Sequence, residues 1–239
     1  MGKPNCKTKA LYFFSGFSDD DGFAPEIAES LRRHIVDRQS LVFIATDPKD
    51  HAAADNSAKI TTGFFRKAGI EFKDVYVFDG RKSAAECATL LGNASAVFLM
   101  GGRTLLQLQF INKNNLAGLL CGFGGVIMGL SAGAINMAEF ALLAPTDSGG
   151  SVPVMYKGTS FADIPAIIYK GIGLADITIT PHYDSDDKNL TDNVLLPFSH
   201  KIDIYAMKDD SAIVISGGEK QYFGDICLIS KGETRWIKQ

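Results

Sequence analysis

The chain has 239 residues, 46% of them hydrophobic and 21% charged, so it can bury a core and is not a disordered polymer. Lys and Arg number 24 against 27 Asp and Glu, a formal charge of −3 that lacks the basic excess of a nucleic-acid-binding domain. The longest apolar runs, such as Leu11 to Phe14 and Val126 to Met128, fall far short of the ~18 residues of a membrane helix, so no membrane partner is expected.

Short apolar runs alternate with helix-like segments along the first half. Ala10 to Ser15 reads as a strand, and Pro25 to Val36 as a helix with proline in its first turn. Leu41 to Ala45 is the next strand, followed by a helix from about Ala52 to Lys67. Asp74 to Phe78, a helix from Ser83 to Leu91, Ala96 to Met100 and a helix from Leu105 to Leu120 continue the pattern. Val126 to Leu130 closes it. Strands that are apolar on both faces belong in a parallel sheet covered on each side. The expected fold is therefore α/β: a doubly wound, mostly parallel sheet with helices on both faces.

The last third reads differently. Ala175 to Thr180, Lys201 to Ala206, Ser211 to Ile215, Gln221 to Phe223 and Ile226 to Ser230 are strands joined by connections too short for crossover helices. They predict an antiparallel C-terminal edge on the same sheet. With no linker-like segment and no internal repeat, residues 1–239 read as one domain. The N-terminus shows no leader-like apolar stretch, and Cys6, Cys87, Cys121 and Cys227 are scattered without a CxxC pair. Reduced thiols and a cytoplasmic location are the expectation.

The segment richest in chemistry is Gly129-Leu130-Ser131-Ala132-Gly133, a GxSxG between a buried strand and a predicted helix from Ala132 to Phe140. A serine at such a turn projects its hydroxyl from the carboxyl edge of the sheet, and small neighbours avoid collision there. The rival reading is a glycine-rich turn whose serine only caps the helix. A nucleophilic serine needs a base. His34 sits among charges and His51 beside a helix start, both read as surface residues, while His200 carries no signal. His182, in TPHYD at 180–184, directly follows a strand. If that strand runs parallel beside the elbow strand, both ends meet at the carboxyl edge, making His182 the candidate base.

The acid is open among Glu139, Asp147, Asp176, Asp184 and Asp186. Asp147, in a loop after the elbow helix that can fold back over the site, is preferred. Met100-Gly101-Gly102-Arg103-Thr104 is a second glycine turn at a strand end, and backbone N–H groups of Gly102 and Ala132 would together receive an oxyanion. Arg103 would stand at the lip of the site, where a guanidinium can grip a substrate carboxylate. A surface pairing with a nearby acid is the preferred reading of the two.

Through MGGRT at 100–104, GLSAGAIN at 129–136 and TPHYD at 180–184, the sequence resembles the peptidase E and cyanophycinase family of serine peptidases. The resemblance implies a fold similar to class I glutamine amidotransferases, with Ser131 as nucleophile and His182 as base. It also implies an acid shortly after the elbow helix, which Asp147 matches by position. The family's glycine loop usually reads GGG and then a polar residue and Thr, so Met100 and Arg103 depart from it. The expectation is thus a serine peptidase acting on short peptides, such as dipeptides with an acidic residue. It would use no cofactor or metal and would be a monomer or homodimer. An esterase with the same triad, or a non-catalytic binding protein, are the alternatives.

Overall fold

Runs of four or five buried apolar residues become parallel strands, each returned by a helix. The computed structural model describes residues 8–18, 21–143 and 167–237. In the first half β1 (Ala10–Phe14), β2 (Ser40–Ile44), β3 (Asp74–Phe78), β4 (Ala96–Leu99) and β5 (Val126–Leu130) alternate with helices. These are α1 (Pro25–His34), α2 (His51–Lys67), α3 (Ala84–Gly92), and the pair α4 (Thr104–Lys113) and α5 (Leu116–Cys121). Proline opens α1, and a reciprocal Ser83–Glu86 capping box opens α3. The helix expected over Leu105 to Leu120 is two helices, because Asn115 adopts a left-handed backbone (φ 54°) between them.

The central sheet has the order β3-β2-β4-β5-β1-β10-β11, where β10 is Ala212–Ser216 and β11 is Glu219–Phe223. The first five strands are parallel, and β10 and β11 add an antiparallel edge. Alternate residues face opposite sides. Tyr12, Phe14, Phe43 and Phe98 pack with α1 and α2, whereas Phe13, Ile44, Val97 and Ile127 pack with α3, α4 and α5. The doubly wound sheet is as expected.

The remaining C-terminal strands depart from expectation. β8 (Thr178–Thr180), β9 (Ile204–Met207), β12 (Ile226–Ser230) and β13 (Glu233–Trp236) form a separate sheet of order β13-β12-β9-β8. A helix α6 (Ala132–Met137) follows β5, and β6 (Phe140–Leu143) then pairs with β7 (Ile167–Lys170). The reason is that a short connection can step between sheets as readily as it can turn a hairpin. The links from β9 to β10 and from β11 to β12 do so. One side of the second sheet covers a small core with Leu142, Tyr183 and Leu195. Its other side contributes Ile179, Tyr205 and Met207 to the same apolar cluster as Phe13 and Ile127. A helical run, Lys188–Leu190, a π-helical turn Thr191–Leu195 and Leu196–Ser199, was not legible in the sequence, since Pro197 interrupts its pattern.

Candidate active site

The strand register explains why distant residues converge. Phe14 of β1 lies opposite Leu130 of β5, and Leu99 of β4 opposite Gly129, so these three strands end side by side. The Ser131 N–H donates to Phe14 O at 2.9 Å, which docks the elbow on β1. Ser131 has φ 48° and ψ −109°, a left-handed conformation unfavourable for a residue with a side chain and one that aims its hydroxyl out of the sheet. The turn closes because the glycines lack Cβ atoms: one on Gly129 would lie 2.6 Å from Ala134 N, and one on Gly133 would strike Leu99 O.

Parallel pairing of β8 with β9 sets Thr180 opposite Ala206, so the segments leaving both strands also emerge together. Tyr183 N–H accordingly donates to Met207 O at 2.9 Å. His182 (φ 55°) then places Nε2 at 2.8 Å from Ser131 Oγ and Nδ1 at 2.7 Å from Asp209 Oδ1. The imidazole bridges a hydroxyl and a carboxylate. Because the carboxylate only accepts, the proton resides on Nδ1 and Nε2 is left to accept from the serine. Both partners of the Nδ1–carboxylate hydrogen bond are part-exposed, His182 by 50% and Asp209 by 39% of their side chains.

Ser131 and His182 are thus together, although β8 lies in the second sheet and not beside β5 as anticipated. Asp147 lies outside the described residues. Of the other acids weighed, Asp184 and Asp186 lie in the turn after His182, where Asp184 Oδ1 accepts the Asp186 N–H at 2.9 Å. Glu139 joins β-type backbone pairing with Ala175 and Gly171. Asp209 was not considered from sequence, because Lys208-Asp209-Asp210 reads as an ordinary hairpin turn. The signal that found His182 applies to it equally: a functional group just past the carboxyl end of a buried strand.

Ser131 and His182 open on a cleft of about 720 Å³ lined by Gly101, Gly102, Phe17, Phe64, Leu130 and Leu190, among others. Asp184 and Asp187 also line it. Ala132 begins α6 directly behind Ser131, and Gly102 follows β4 and lines the same cleft, so both expected oxyanion positions border Ser131. A buried polar network ties those two turns together. Gln107 Nε2 donates to Met100 O (2.9 Å), Asn136 Nδ2 donates to Thr104 O (2.9 Å) and to Gln107 Oε1 (3.1 Å), and Tyr169 OH donates to Asn136 Oδ1 (3.2 Å). Thr46 Oγ1 donates to Gly101 O from the other side. Arg103 occupies the N-cap position of α4 without a side-chain capping bond, and its guanidinium lies 3.8 Å from the Asp47 carboxylate, the surface pairing preferred above.

The other histidines stand apart. His51 Nδ1 is 3.2 Å from Asp79 Oδ2, in a cluster where Arg81 bridges Asp79 and Asp55 and holds both carboxyls below the usual range. His34 Nδ1 is 2.6 Å from the Tyr12 hydroxyl, a contact the sequence reading as a solvated residue missed. Burial pushes the Cys87 thiol up to about 12, which makes it inert. Among the described residues no group of three or more His, Cys, Asp or Glu is placed to hold a metal ion. No helix among them is long and apolar enough to cross a membrane.

Comparison with known proteins bears on the family and the fold. The model of peptidase family S51 matches residues 13–223. The chain belongs to peptidase family S51. Its fold is similar to that of a candidate peptidase E protein from Listeria monocytogenes EGD-e, with 20% identity, a TM-score of 0.63, and coverage of 90% of this chain and 98% of that one. It is also similar to a peptidase from an acI-B1 Actinobacterium, with 14% identity, a TM-score of 0.69, and coverage of 98% and 96%. No curated protein matches the sequence. As a family S51 member the chain is a peptidase, as its motifs implied.

Proposed function

We propose that this S51 peptidase hydrolyses amide bonds in short peptides through Ser131, His182 and Asp209. The single observation that carries the reading is the imidazole of His182 held 2.8 Å from Ser131 Oγ and 2.7 Å from Asp209 Oδ1. Ser131 Oγ attacks the scissile carbonyl carbon while its proton passes to His182 Nε2. The carbonyl oxygen becomes an oxyanion received by the N–H groups of Ala132 and Gly102. Collapse of the tetrahedral intermediate breaks the C–N bond, and His182 returns the proton to the leaving amine. Water, deprotonated by the same nitrogen, then hydrolyses the acyl-serine. Asp209 keeps the Nδ1–H tautomer in place and offsets the charge of the imidazolium. Asp147, the acid preferred from sequence, is the rival for this role.

The charged groups that line the described cleft beside His182 are Asp184 and Asp187. They complement the α-ammonium group of a short peptide and repel an acidic side chain, so we set the acidic-dipeptide preference below a preference for neutral or basic ones. A dipeptide library assayed with wild type and Ser131→Ala tests the proposal. Expected is a loss of kcat on the order of 10⁴- to 10⁶-fold in the variant. Activity retained by the variant would reject the mechanism.

A further inference from the structure

Ser15 directly follows β1 and is fully buried, yet its side chain is polar. Three contacts meet at its hydroxyl. It accepts the backbone N–H of His182 at 2.7 Å, donates to Met207 O at 2.9 Å, and lies 3.2 Å from Asp209 Oδ1. A hydroxyl carries one proton and two lone pairs, so the carbonyl and the carboxylate share that proton while a lone pair takes the His182 N–H. The arrangement is specific to this place. His182 has a left-handed backbone, and its turn is held by two successive N–H groups, one on Ser15 Oγ and the next, from Tyr183, on Met207 O. The Ser15 N–H in turn donates to Ser211 O at 3.2 Å, beside the segment that carries Asp209.

Ser15 therefore contacts the backbone of the base and the carboxylate of the acid, from the strand on which the nucleophile's turn is docked. We propose that Ser15 is a positioning residue of the peptidase reaction, fixing the His182 turn and the Asp209 carboxylate at the spacing that lets the imidazole bridge to Ser131. The inference rests on the Ser131–His182–Asp209 reading and extends it to a buried group that touches no substrate. A hydroxyl that only satisfied a strand end would contribute to folding and leave the imidazole untouched. The two roles separate in a double-mutant cycle.

The readout is the rate at which a fluorophosphonate labels Ser131 in the intact protein, resolved into a maximal rate and a half-saturating concentration. Ser15→Ala should lower the maximal rate about 10- to 100-fold, the effect of losing one buried hydrogen bond next to a charge, with half-saturation unchanged within about twofold. In the Asp209→Asn background the same substitution should cost at least about fivefold less, because the carboxylate it helps to place is gone. Thermal unfolding verifies that each variant is folded. Should alanine at this buried position unfold the chain, Ser15→Cys keeps the bulk with a weaker hydrogen-bonding group and runs the same cycle. Equal costs in both backgrounds, or labelling within twofold of wild type in a folded variant, overturn the inference. Labelling that persists in Ser131→Ala would instead overturn the nucleophile assignment beneath it.

Discussion

Replacing Asp209 by asparagine keeps the side chain's shape and removes its charge. The carboxylate lies 2.7 Å from His182 Nδ1, and in the proposed mechanism its electrostatic work is done when the imidazole becomes cationic as Ser131 attacks. With both side chains part-exposed, the effective dielectric lies between that of a protein surface and that of water. Two unit charges ~4 Å apart then attract by about 1–4 kcal/mol, or about 5- to 10³-fold in rate. The amide also turns an N–H₂ donor toward Nδ1 in half of its orientations, which favours the wrong tautomer. Asp209→Asn should accordingly slow fluorophosphonate labelling of Ser131 by about 10²-fold, with unfolding unchanged. Labelling within threefold of wild type would refute this reasoning. If Asp147→Asn then showed the larger loss, the acid would be Asp147.

Two further outcomes follow from packing and titration. A Cβ on Gly16 would strike the Asp209 carboxylate and come within 2.8 Å of His182 Cε1. Gly16→Ala should lower labelling at least about tenfold in a folded protein, and an unaffected rate would mean that the pair tolerates displacement. Burial, with Arg33 and Lys9 nearby, holds the His34 imidazole below its ordinary 6.5, and burial pushes the Tyr12 phenol hydrogen-bonded to it up to about 12. The unfolded chain then binds the proton more readily, so stability falls as pH drops from about 6.5 through the lower folded value. Thermal midpoints between pH 7 and 5 should fall more steeply in wild type than in His34→Gln, and parallel curves would contradict the assignment.

How far the sequence reached depended on whether a signal was local. The elbow was legible because Gly129, Ser131 and Gly133 satisfy one turn whose demands are met within five residues. His182 was legible as a residue past a strand end, but for a partly wrong reason: β8 belongs to the second sheet, and its approach to Ser131 depends on how two sheets pack. Asp209 was missed for that cause alone. Its neighbours look like a hairpin turn, and only pairing of β9 with β8 and of β10 with β1 makes them a passage between sheets. The buried pattern of β1, β2, β4 and β5 specified the parallel sheet, while the break at Asn115 turned on one backbone angle that residue type leaves open.

The passage between the sheets makes the proposed site depend on contacts between segments distant in sequence. Ser131 and the turns at Gly102 and Ala132 lie within residues 100–136, where Asn136 and Gln107 lock them to one another. His182 follows 51 residues later, and Asp209 another 27 after that. Asp209 leads into β10, which pairs with β1, so its position depends on a strand far earlier in the sequence. The proposed relay is therefore assembled from segments far apart in the sequence, and it is complete only where β10 has paired with β1.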